Sequence, residues 1–351
     1  MITVAGEALI DLVIDVSGSV TAVPGGAPFN VARMIARLGG DCQFVSKLSD
    51  DGFGDQLRAS LVQDGVRIAV PDPTPAATTL AIARLDSHGA AEYKFYLERT
   101  SAAELTAADV PAEILDGSNA IALGGLGLLI DPTASSLTAL IRQRPPGATI
   151  LLDPNCRPAA VTDLAAYREM IDTVVRQVDV VKVSTDDLRL LRPAEAPLRA
   201  ARGLLELGPA AVLVTDGPSP ATVLTEAGER SVPVPVVDVA DTIGAGDAFV
   251  AGFLTWWTAH ALNQHDAGDL DALVRAASAA VEVAAADCTV RGANLPQGFR
   301  SVFRELSCQP AILPQAGLRF FLIPSKHWIS VFLLHFESRF EIFCSGFKCQ
   351  N

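Results

Sequence analysis

The chain is poor in basic residues, which limits the partners it can have. Of its 351 residues, 27 are Lys or Arg and 40 are Asp or Glu, so the formal net charge is −13. A protein that binds nucleic acid normally presents a basic patch, and this charge therefore argues against a nucleic-acid partner. It does not exclude phosphate binding, because a helix dipole acts locally and can outweigh the charge of the whole chain.

Cysteines and long apolar runs are also scarce. The six cysteines, at positions 42, 156, 288, 308, 344 and 349, form no C-x-x-C pair and have no metal-like spacing with histidine, which predicts reduced, buried thiols. The N-terminus lacks a basic region followed by an apolar run, and no uncharged stretch is as long as a membrane span. We therefore expect a cytoplasmic protein without a signal peptide or a membrane partner.

Several common enzyme motifs are missing. The sequence contains no G-x-x-x-x-G-K-[ST], no H-E-x-x-H and no G-x-S-x-G. The five histidines form no pair at ligand spacing, and we interpret them as surface or packing residues. Residues 124–127 are glycine-rich, but their spacing does not match the dinucleotide fingerprint.

What is present is an alternation of short apolar runs and helical segments. A hydrophobic content of 50% allows a large core. The apolar runs 120–123, 149–153, 179–183 and 211–215 predict strands, and the segments 137–144, 164–177, 186–191 and 198–207 predict helices. This pattern indicates an α/β fold with a parallel sheet, in which ligands bind at the carboxyl ends of the strands. We expect the polar strand ends at 153–155, 182–187 and 215–217 to meet in one cleft.

Residues 78–97 follow a different pattern. Their apolar residues recur with period two around Ser87-His88-Gly89, which predicts a β-hairpin rather than another crossover.

The most informative segment is residues 241–249, Asp-Thr-Ile-Gly-Ala-Gly-Asp-Ala-Phe. Small residues before a helical stretch at 248–262 predict a tight turn whose N–H groups, those of Gly244, Ala245 and Gly246, bind an anion. A carboxylate beside an anion site fits a base that accepts a proton from an attacking hydroxyl, and this is the role that we predict for Asp247. Taken alone, the short Gly-x-Gly-Asp string is more typical of an ordinary helix start.

A second segment, residues 25–33, reads Gly-Gly-Ala-Pro-Phe-Asn-Val-Ala-Arg. Two glycines allow the backbone to approach a ligand closely, and Asn30 offers a donor and an acceptor to hydroxyl groups. Taken alone, it favours a Gly-Gly turn with an asparagine near the start of a helix.

Together the two segments resemble the signatures of the ribokinase-like (PfkB) carbohydrate kinases, and residues 25–33 have the form common among fructokinase-like members. They lie far apart and in the family order, and the resemblance covers roughly residues 1–305. It implies a sugar kinase domain at 1–306, folded as a three-layer α/β sandwich with a mainly parallel central sheet. A small β-sheet lid is expected from about residues 12–24 and 76–99.

The resemblance implies a set of sugar ligands: Asp11, Gly25, Gly26, Asn30 and Arg99. Asp11 lies in Gly-Glu-Ala-Leu-Ile-Asp, which is similar to the first strand of the family, although it is also consistent with a strand-end carboxylate. Arg99 is expected either to neutralise charge near the cleft or to be a solvated strand end. Some sugar-acid kinases have an arginine where this chain has Leu97, which disfavours a substrate with a carboxylate.

The resemblance also implies ATP and Mg²⁺, with a possible requirement for K⁺. The implied nucleotide-binding residues are Lys182, Ser184, Thr215, Gly217, Gly246, Gly292 and Ala293. Asp187 replaces the glutamate of the family's Asn-x-x-Glu motif, and it either acts on Mg²⁺ through a water or simply begins a helix. Asp241 is the implied ligand of a monovalent cation.

The expected function is ATP-dependent phosphorylation of a small sugar at a primary hydroxyl, with fructose as the first candidate. Other ketoses, sugar acids and nucleosides stay open as substrates, and so does a regulatory protein that binds sugar or nucleotide without catalysis. A homodimer formed through the lid is a further expectation.

The last segment, residues 307–351, departs from the rest. It contains eight aromatic residues, three of the six cysteines and no aspartate. One interpretation is an added helix around residues 328–336 that packs on the body or on a partner. The preferred interpretation is a sequence without a selected role, as from a shifted reading frame or a fusion.

Overall fold

The computed structural model describes residues 1–85, 91–308, 319–325 and 328–334. The chain divides into two units, Met1–Ser307 and Cys308–Asn351.

The elements of the first unit alternate between strands and helices. They begin with β1 (Ile2–Ala5), β2 (Leu9–Ile14), β3 (Val20–Gly25), α1 (Ala27–Leu38), β4 (Cys42–Val45), α2 (Gly52–Asp64), β5 (Arg67–Ile68), β6 (Leu80–Leu85), β7 (Ala91–Tyr96), β8 (Ala120–Gly124), α3 (Thr133–Arg142), β9 (Thr149–Asp153), α4 (Leu164–Val175) and β10 (Val180–Ser184). They continue with α5 (Thr185–Leu191), α6 (Pro197–Leu205), β11 (Ala211–Asp216), β12 (Ser219–Thr225), β13 (Gly228–Val232), α7 (Ala245–Ala259), α8 (Leu270–Asp287) and α9 (Phe299–Cys308), which ends one residue beyond the unit.

The central sheet has the spatial order β13-β12-β11-β10-β9-β8-β1-β4-β5. The strands from β11 to β5 are parallel, whereas β12 and β13 are antiparallel at one edge. The mainly parallel sheet confirms the predicted fold class. Because the strands are parallel, the carboxyl ends of β1, β8, β9, β10 and β11 lie along one edge of the sheet.

Helices cover both faces of this sheet. Side chains alternate along a strand, so in β9 Ile150 and Leu152 face one core cluster while Leu151 faces the other. The cluster around Leu151 is completed by α1, α2, α7 and α8, and the opposite one by α3, α4, α5 and α6. The result is the expected three-layer sandwich.

The smaller sheet has the order β3-β2-β6-β7. β6 and β7 are antiparallel, which confirms the predicted hairpin, although its turn at 87–89 lies outside the described residues. β2 pairs with β3 in antiparallel and with β6 in parallel fashion. The parallel pair was not predicted, because a connection of more than sixty residues leaves no local signal in the sequence.

Glycines set two features of the helices near the cleft. Gly26 precedes α1 with a φ of 108°, a conformation that favours glycine. Gly252 lets α7 and α8 pack backbone to backbone, since a Cβ there would lie 2.7 Å from Val283 Cγ2. Most of α7 is buried, as expected from the apolar stretch 248–262.

In the second unit, β14 (Arg319–Ser325) and β15 (Trp328–Leu334) form an antiparallel pair. The interpretation of residues 328–336 as a helix is therefore wrong for 328–334, where β-branched and aromatic residues favour a strand. Residues 335–336 lie outside the described part. That this segment has no selected role stays a prediction.

The described residues bear on two further expectations. Cys42, Cys156 and Cys288 are free, the first two are buried, and the side chains of the other three cysteines fall outside the described set. Within the described ranges, no helix combines the length and apolar character needed to cross a bilayer.

Candidate active site

The predicted cleft forms where the parallel strands end. At the end of β9, Asp153 accepts a 2.9 Å ion-pair hydrogen bond from Lys182 Nζ of β10. At the end of β11, Asp216 accepts a hydrogen bond of 2.6 Å from the Thr185 hydroxyl at the start of α5. These contacts bring the three predicted strand ends together.

Asp247 lies in the first turn of α7 with 7% of its surface exposed. Its Oδ2 accepts a 2.9 Å hydrogen bond from Asn30 Nδ2, and its Oδ1 accepts a longer one, 3.4 Å, from Asn155 Nδ2. Burial raises the pKa of Asp247 to about 7, while the Asn30 bond and the positive charges of Arg157 and Lys182 act in the opposite direction. A carboxyl with this pKa can exchange a proton near neutral pH.

The turn before Asp247 requires its glycines. Gly244 has a φ of 92°, and a Cβ there would lie 2.6 Å from Ala293 Cβ. A Cβ at Gly246 would lie 3.0 Å from Lys182 Nζ. The first N–H groups of a helix have no hydrogen-bond partner within that helix. The Ala245 N–H makes only a long hydrogen bond, of 3.3 Å, to Thr242 O. The turn therefore combines a helix N-terminus with a fixed ammonium group, which is an arrangement suited to an anion.

The Lys182 ammonium is buried next to three carboxylates. Burial opposes its charge, but Asp153, Asp187 and Asp247 together hold its pKa above the ordinary value for lysine. Lys182 therefore stays charged, and its pair with Asp153 fixes its position.

The predicted sugar ligands other than Arg99 lie close to one another and to Asp247; they are Asp11, Gly25, Gly26 and Asn30. Gly25 is paired with Leu9 across the β2–β3 ladder, and a Cβ at Gly25 would overlap Oδ2 of the nearby Asp11. Burial raises the pKa of Asp11 to about 6, against the charge of Arg157. Asn30 Oδ1 is buried without a hydrogen-bond partner in the described structure.

Two other predicted ligands have less support from the geometry. Arg99 is exposed, has a φ of 56° and makes no ion pair with the described carboxylates. It therefore matches the solvated alternative better. Gly217 is also exposed and has a φ of 53°.

Asp187 is part of a capping box at the start of α5. Its Oδ2 accepts hydrogen bonds from the Ser184 N–H and hydroxyl, and its Oδ1 accepts one from the Cys156 N–H. This is the helix-start role that the sequence left open.

The loop on the far side of Gly244 brings Asp241 and Gly292 together. Asp241 accepts hydrogen bonds from the N–H groups of Thr242, Ile243 and Gly292. Beside it, Asp287 is 1% exposed, and its Oδ2 has no hydrogen-bond partner in the described structure. That oxygen lies 3.3 Å from the position of a Cβ on Gly244.

Sequence reasoning missed some residues of this cluster. Asn155 and Arg157 belong to a segment, Asp-Pro-Asn-Cys-Arg, that resembles an Asp-Pro-Asn-x-Arg segment of the same kinase family and is also consistent with an ordinary strand exit, but the sequence assigned neither residue a role. Asn155 has a φ of 42°, which asparagine tolerates better than most residues. Asp287 gave no signal, since an acid at the end of an alanine-rich helix is unremarkable in sequence.

Comparison with known proteins gives a consistent answer. The profile described as "pfkB family carbohydrate kinase" matches residues 1–297. Fructokinase-2 of Oryza sativa subsp. japonica is 34% identical over 261 residues, which cover 71% of this chain and 77% of the relative.

Two solved structures share the fold. The ATP-bound fructokinase of Xylella fastidiosa superposes with a TM-score of 0.80 at 28% identity, covering 87% of this chain and 97% of that one. The aminoimidazole riboside kinase of Salmonella enterica, in complex with aminoimidazole riboside and an ATP analog, gives 0.73 at 28% identity, with coverage of 87% and 99%.

Proposed function

The chain belongs to the pfkB family of carbohydrate kinases, and from this premise we propose that it transfers the γ-phosphoryl group of ATP to a primary hydroxyl of fructose. The observation that carries the proposal is the position of Asp247, whose buried carboxylate adjoins both the Gly244–Gly246 turn and Asn30. Fructokinases among the relatives support the choice of sugar.

In the proposed step, Asp247 accepts the proton of the attacking hydroxyl. The hydroxyl oxygen forms a bond to the γ-phosphorus, and the bond from that phosphorus to the β–γ bridging oxygen breaks, so that ADP leaves with the electron pair. Because such transition states are loose, positioning and charge stabilisation contribute more than base strength. A carboxylate with a pKa of about 7 is a sufficient base.

The charge of the moving phosphoryl group is balanced by the turn and by Lys182. The N–H groups of Gly244, Ala245 and Gly246 supply donors, and the ammonium beneath Gly246 supplies a full positive charge. In a buried site, such preorganised groups stabilise a developing charge more strongly than water does.

The sugar is held between Asp11, the Gly25-Gly26 backbone and Asn30. Asn30 is suited to this role because its Oδ1 has no other partner, while its Nδ2 is already bound to Asp247. One side chain therefore contacts both the hydroxyl-bearing substrate and the base.

The nucleotide and its cations bind on the side of the 244–246 turn that faces away from the sugar. For this side we propose the expected nucleotide ligands Ser184, Thr215, Gly217, Gly292 and Ala293; of these, Ala293 packs against Gly244 and Ser184 is paired with Thr215. When bound, Mg²⁺ would neutralise charge on the nucleotide phosphates, and Asp187 would act on it through a water rather than as a direct ligand. The monovalent cation is proposed beside Asp241, where Oδ2 of Asp287 is a buried oxygen without a hydrogen-bond partner in the described structure; burial raises the pKa of Asp287 to about 7, and a bound cation would favour its charged form.

A nucleoside is the second candidate substrate. The aminoimidazole riboside kinase superposes on this chain at the same identity as the fructokinase, although with a lower TM-score. A sugar acid is a weaker candidate, since Leu97 stands where some sugar-acid kinases have an arginine.

A coupled assay of ADP release tests both the activity and the substrate. The wild-type protein is presented with fructose, other ketoses, sugar acids and nucleosides, beside Asp247→Asn. We expect fructose to give the highest kcat/KM, and Asp247→Asn to lose about 10²–10⁴-fold in kcat.

The matched control is Asp271→Asn, the same substitution in the first turn of α8, at the end opposite to Asp287. It should leave the rate unchanged. Full activity in Asp247→Asn would refute the assigned base. Binding without turnover on every compound would favour a regulatory protein instead.

A further inference from the structure

Glu7 is a buried acid to which no role in phosphoryl transfer is assigned. It lies in the link between β1 of the central sheet and β2 of the small sheet, and it is 2% exposed. A buried carboxyl is unfavourable unless it is hydrogen-bonded.

The turn after β8, residues 124–127, surrounds this carboxyl. Gly127 donates its N–H to Glu7 Oε2 at 3.0 Å. A Cβ at Gly125, whose φ is 68°, would lie 2.6 and 2.7 Å from the two carboxyl oxygens. Burial raises the pKa of Glu7 to about 7, whereas the N–H groups of Gly127, Glu7 itself and Leu126 act to lower it. The carboxyl therefore occupies a small space lined by main-chain N–H donors, and any side chain at position 125 would intrude on that space.

The same turn reaches the end of β9 on one side. A Cβ at Gly124 would overlap the main-chain carbonyl of Asp153, so the two segments are in backbone contact. Asp153 is the partner of Lys182 beneath the anion turn. Because Gly124 and Asp153 are paired in the β8–β9 ladder, this end of the turn is held by the central sheet itself.

On its other side the turn supports the small sheet. Leu126 forms a separate apolar cluster with Leu9 of β2 and Ala81 of β6, and Phe95 and Leu97 pack against it. This cluster lies where the small sheet meets the central one.

We propose that Glu7 is a positioning residue that fixes the 124–127 turn and thereby holds the small sheet in place as a lid over the acceptor sugar. The proposal rests on the kinase function proposed above. Because the Glu7 carboxyl is buried against the turn, in this proposal it acts through the turn and through Leu126.

This role predicts a specific kinetic change. When Glu7 does not hold the 124–127 turn, the small sheet no longer closes correctly over the sugar. Sugar binding then weakens, and water enters the site and competes with the sugar as acceptor of the phosphoryl group. Glu7→Ala should raise the KM for sugar about tenfold, because the buried hydrogen bond that holds the turn is lost. The KM for ATP should stay unchanged, and the ratio of ADP formed to sugar phosphate formed should rise above one.

Glu7→Gln should recover most of the effect. Its amide oxygen still accepts a hydrogen bond from the Gly127 N–H, whereas alanine provides no acceptor. The matched control is Asp179→Ala, because Asp179 also accepts a main-chain N–H, that of Ile150, at 2.7 Å, but before β10 and so at the opposite edge of the sheet. Asp179 also pairs with Arg144, so this variant loses more contacts than Glu7→Ala and reports the general effect of removing a structural carboxylate far from the 124–127 turn.

Hydrogen–deuterium exchange provides a test that does not need catalysis. In Glu7→Ala, exchange should accelerate in residues 124–130 and in β6 and β7, and Asp179→Ala should not change those segments. If the wild type phosphorylates no compound, the proposed function fails, while the exchange measurement still decides the anchoring. Unchanged exchange in these segments, or a KM for ATP that rises as much as that for sugar, would overturn the role of Glu7.

Discussion

At the scale of single residues, the carboxylate of Asp247 is held by amides from distant parts of the chain. Asn30 precedes it by 217 residues and Asn155 by 92. The glycine turn and the acid could be predicted, because their chemistry is local. The two amide contacts could not, because they exist only once β9 and α1 lie beside α7.

The hydrogen bond from Asn30 leads to a prediction for pH dependence. Asp247 acts as a base only when deprotonated, and its pKa is about 7, so kcat/KM should fall about tenfold for each pH unit below about 7. The Asn30 bond lowers this pKa. Asn30→Ala should therefore move the acidic limb to higher pH, in addition to weakening sugar binding.

Profiles of kcat/KM against pH for the wild type and for Asn30→Ala test this shift of the acidic limb. Asn263→Ala, which changes an asparagine that caps a different turn, serves as the control. A limb that stays in place, or moves to lower pH, in Asn30→Ala would contradict the proposed coupling.

At the scale of elements, side chains that cap helices also hold neighbouring segments in place near the cleft. Asp51 caps α2 by accepting the N–H groups of Phe53 and Gly54. It also accepts hydrogen bonds from the N–H and hydroxyl of Thr78, just before β6. Partial burial opposes its charge, yet the Thr78 contacts and the cap hold the pKa of Asp51 at about 2. One carboxylate thus ties a helix of the body to the entry of the small sheet.

Asp51→Ala should lower the free energy of unfolding by about 2 kcal/mol at neutral pH, the upper end for loss of a cap. A depressed pKa gives stability that is present above pH 4 and is lost as the pH falls towards 2. The difference between wild type and variant should shrink over that range.

Urea unfolding at several pH values measures this difference. Asp163→Ala is the matched control, since Asp163 caps α4 through two N–H groups without a further link. Asp163→Ala should lower the free energy of unfolding by less than Asp51→Ala does. Equal losses in the two variants would mean that the contact with Thr78 contributes nothing.

At the scale of the whole molecule, the family match and every proposed site residue lie within residues 1–297. The first unit nevertheless extends to Ser307, because α9 carries Phe303, which is 3% exposed in the core cluster of α1, α7 and α8. The functional body therefore needs α9.

A variant that ends at Cys308 should keep its sugar kinase activity and its unfolding temperature. A second variant that ends at Gly298 removes Phe303 from the core and should unfold at a lower temperature. Activity assays and calorimetry on both proteins make the comparison. Loss of activity in the longer variant would show that residues 309–351 have a role.

The sequence by itself determined the alternation of strands and helices, the glycine turn before α7 and the acid that follows it, because each depends on neighbouring residues. The resemblance of residues 25–33 and 241–249 to known signatures was likewise readable from the chain. Only the tertiary structure decided that β1 lies between β8 and β4, that Lys182 sits beneath Gly246, and that Glu7 fills the turn after β8. Such contacts join segments that are far apart in the chain, and only packing of the sheet and its helices brings them together.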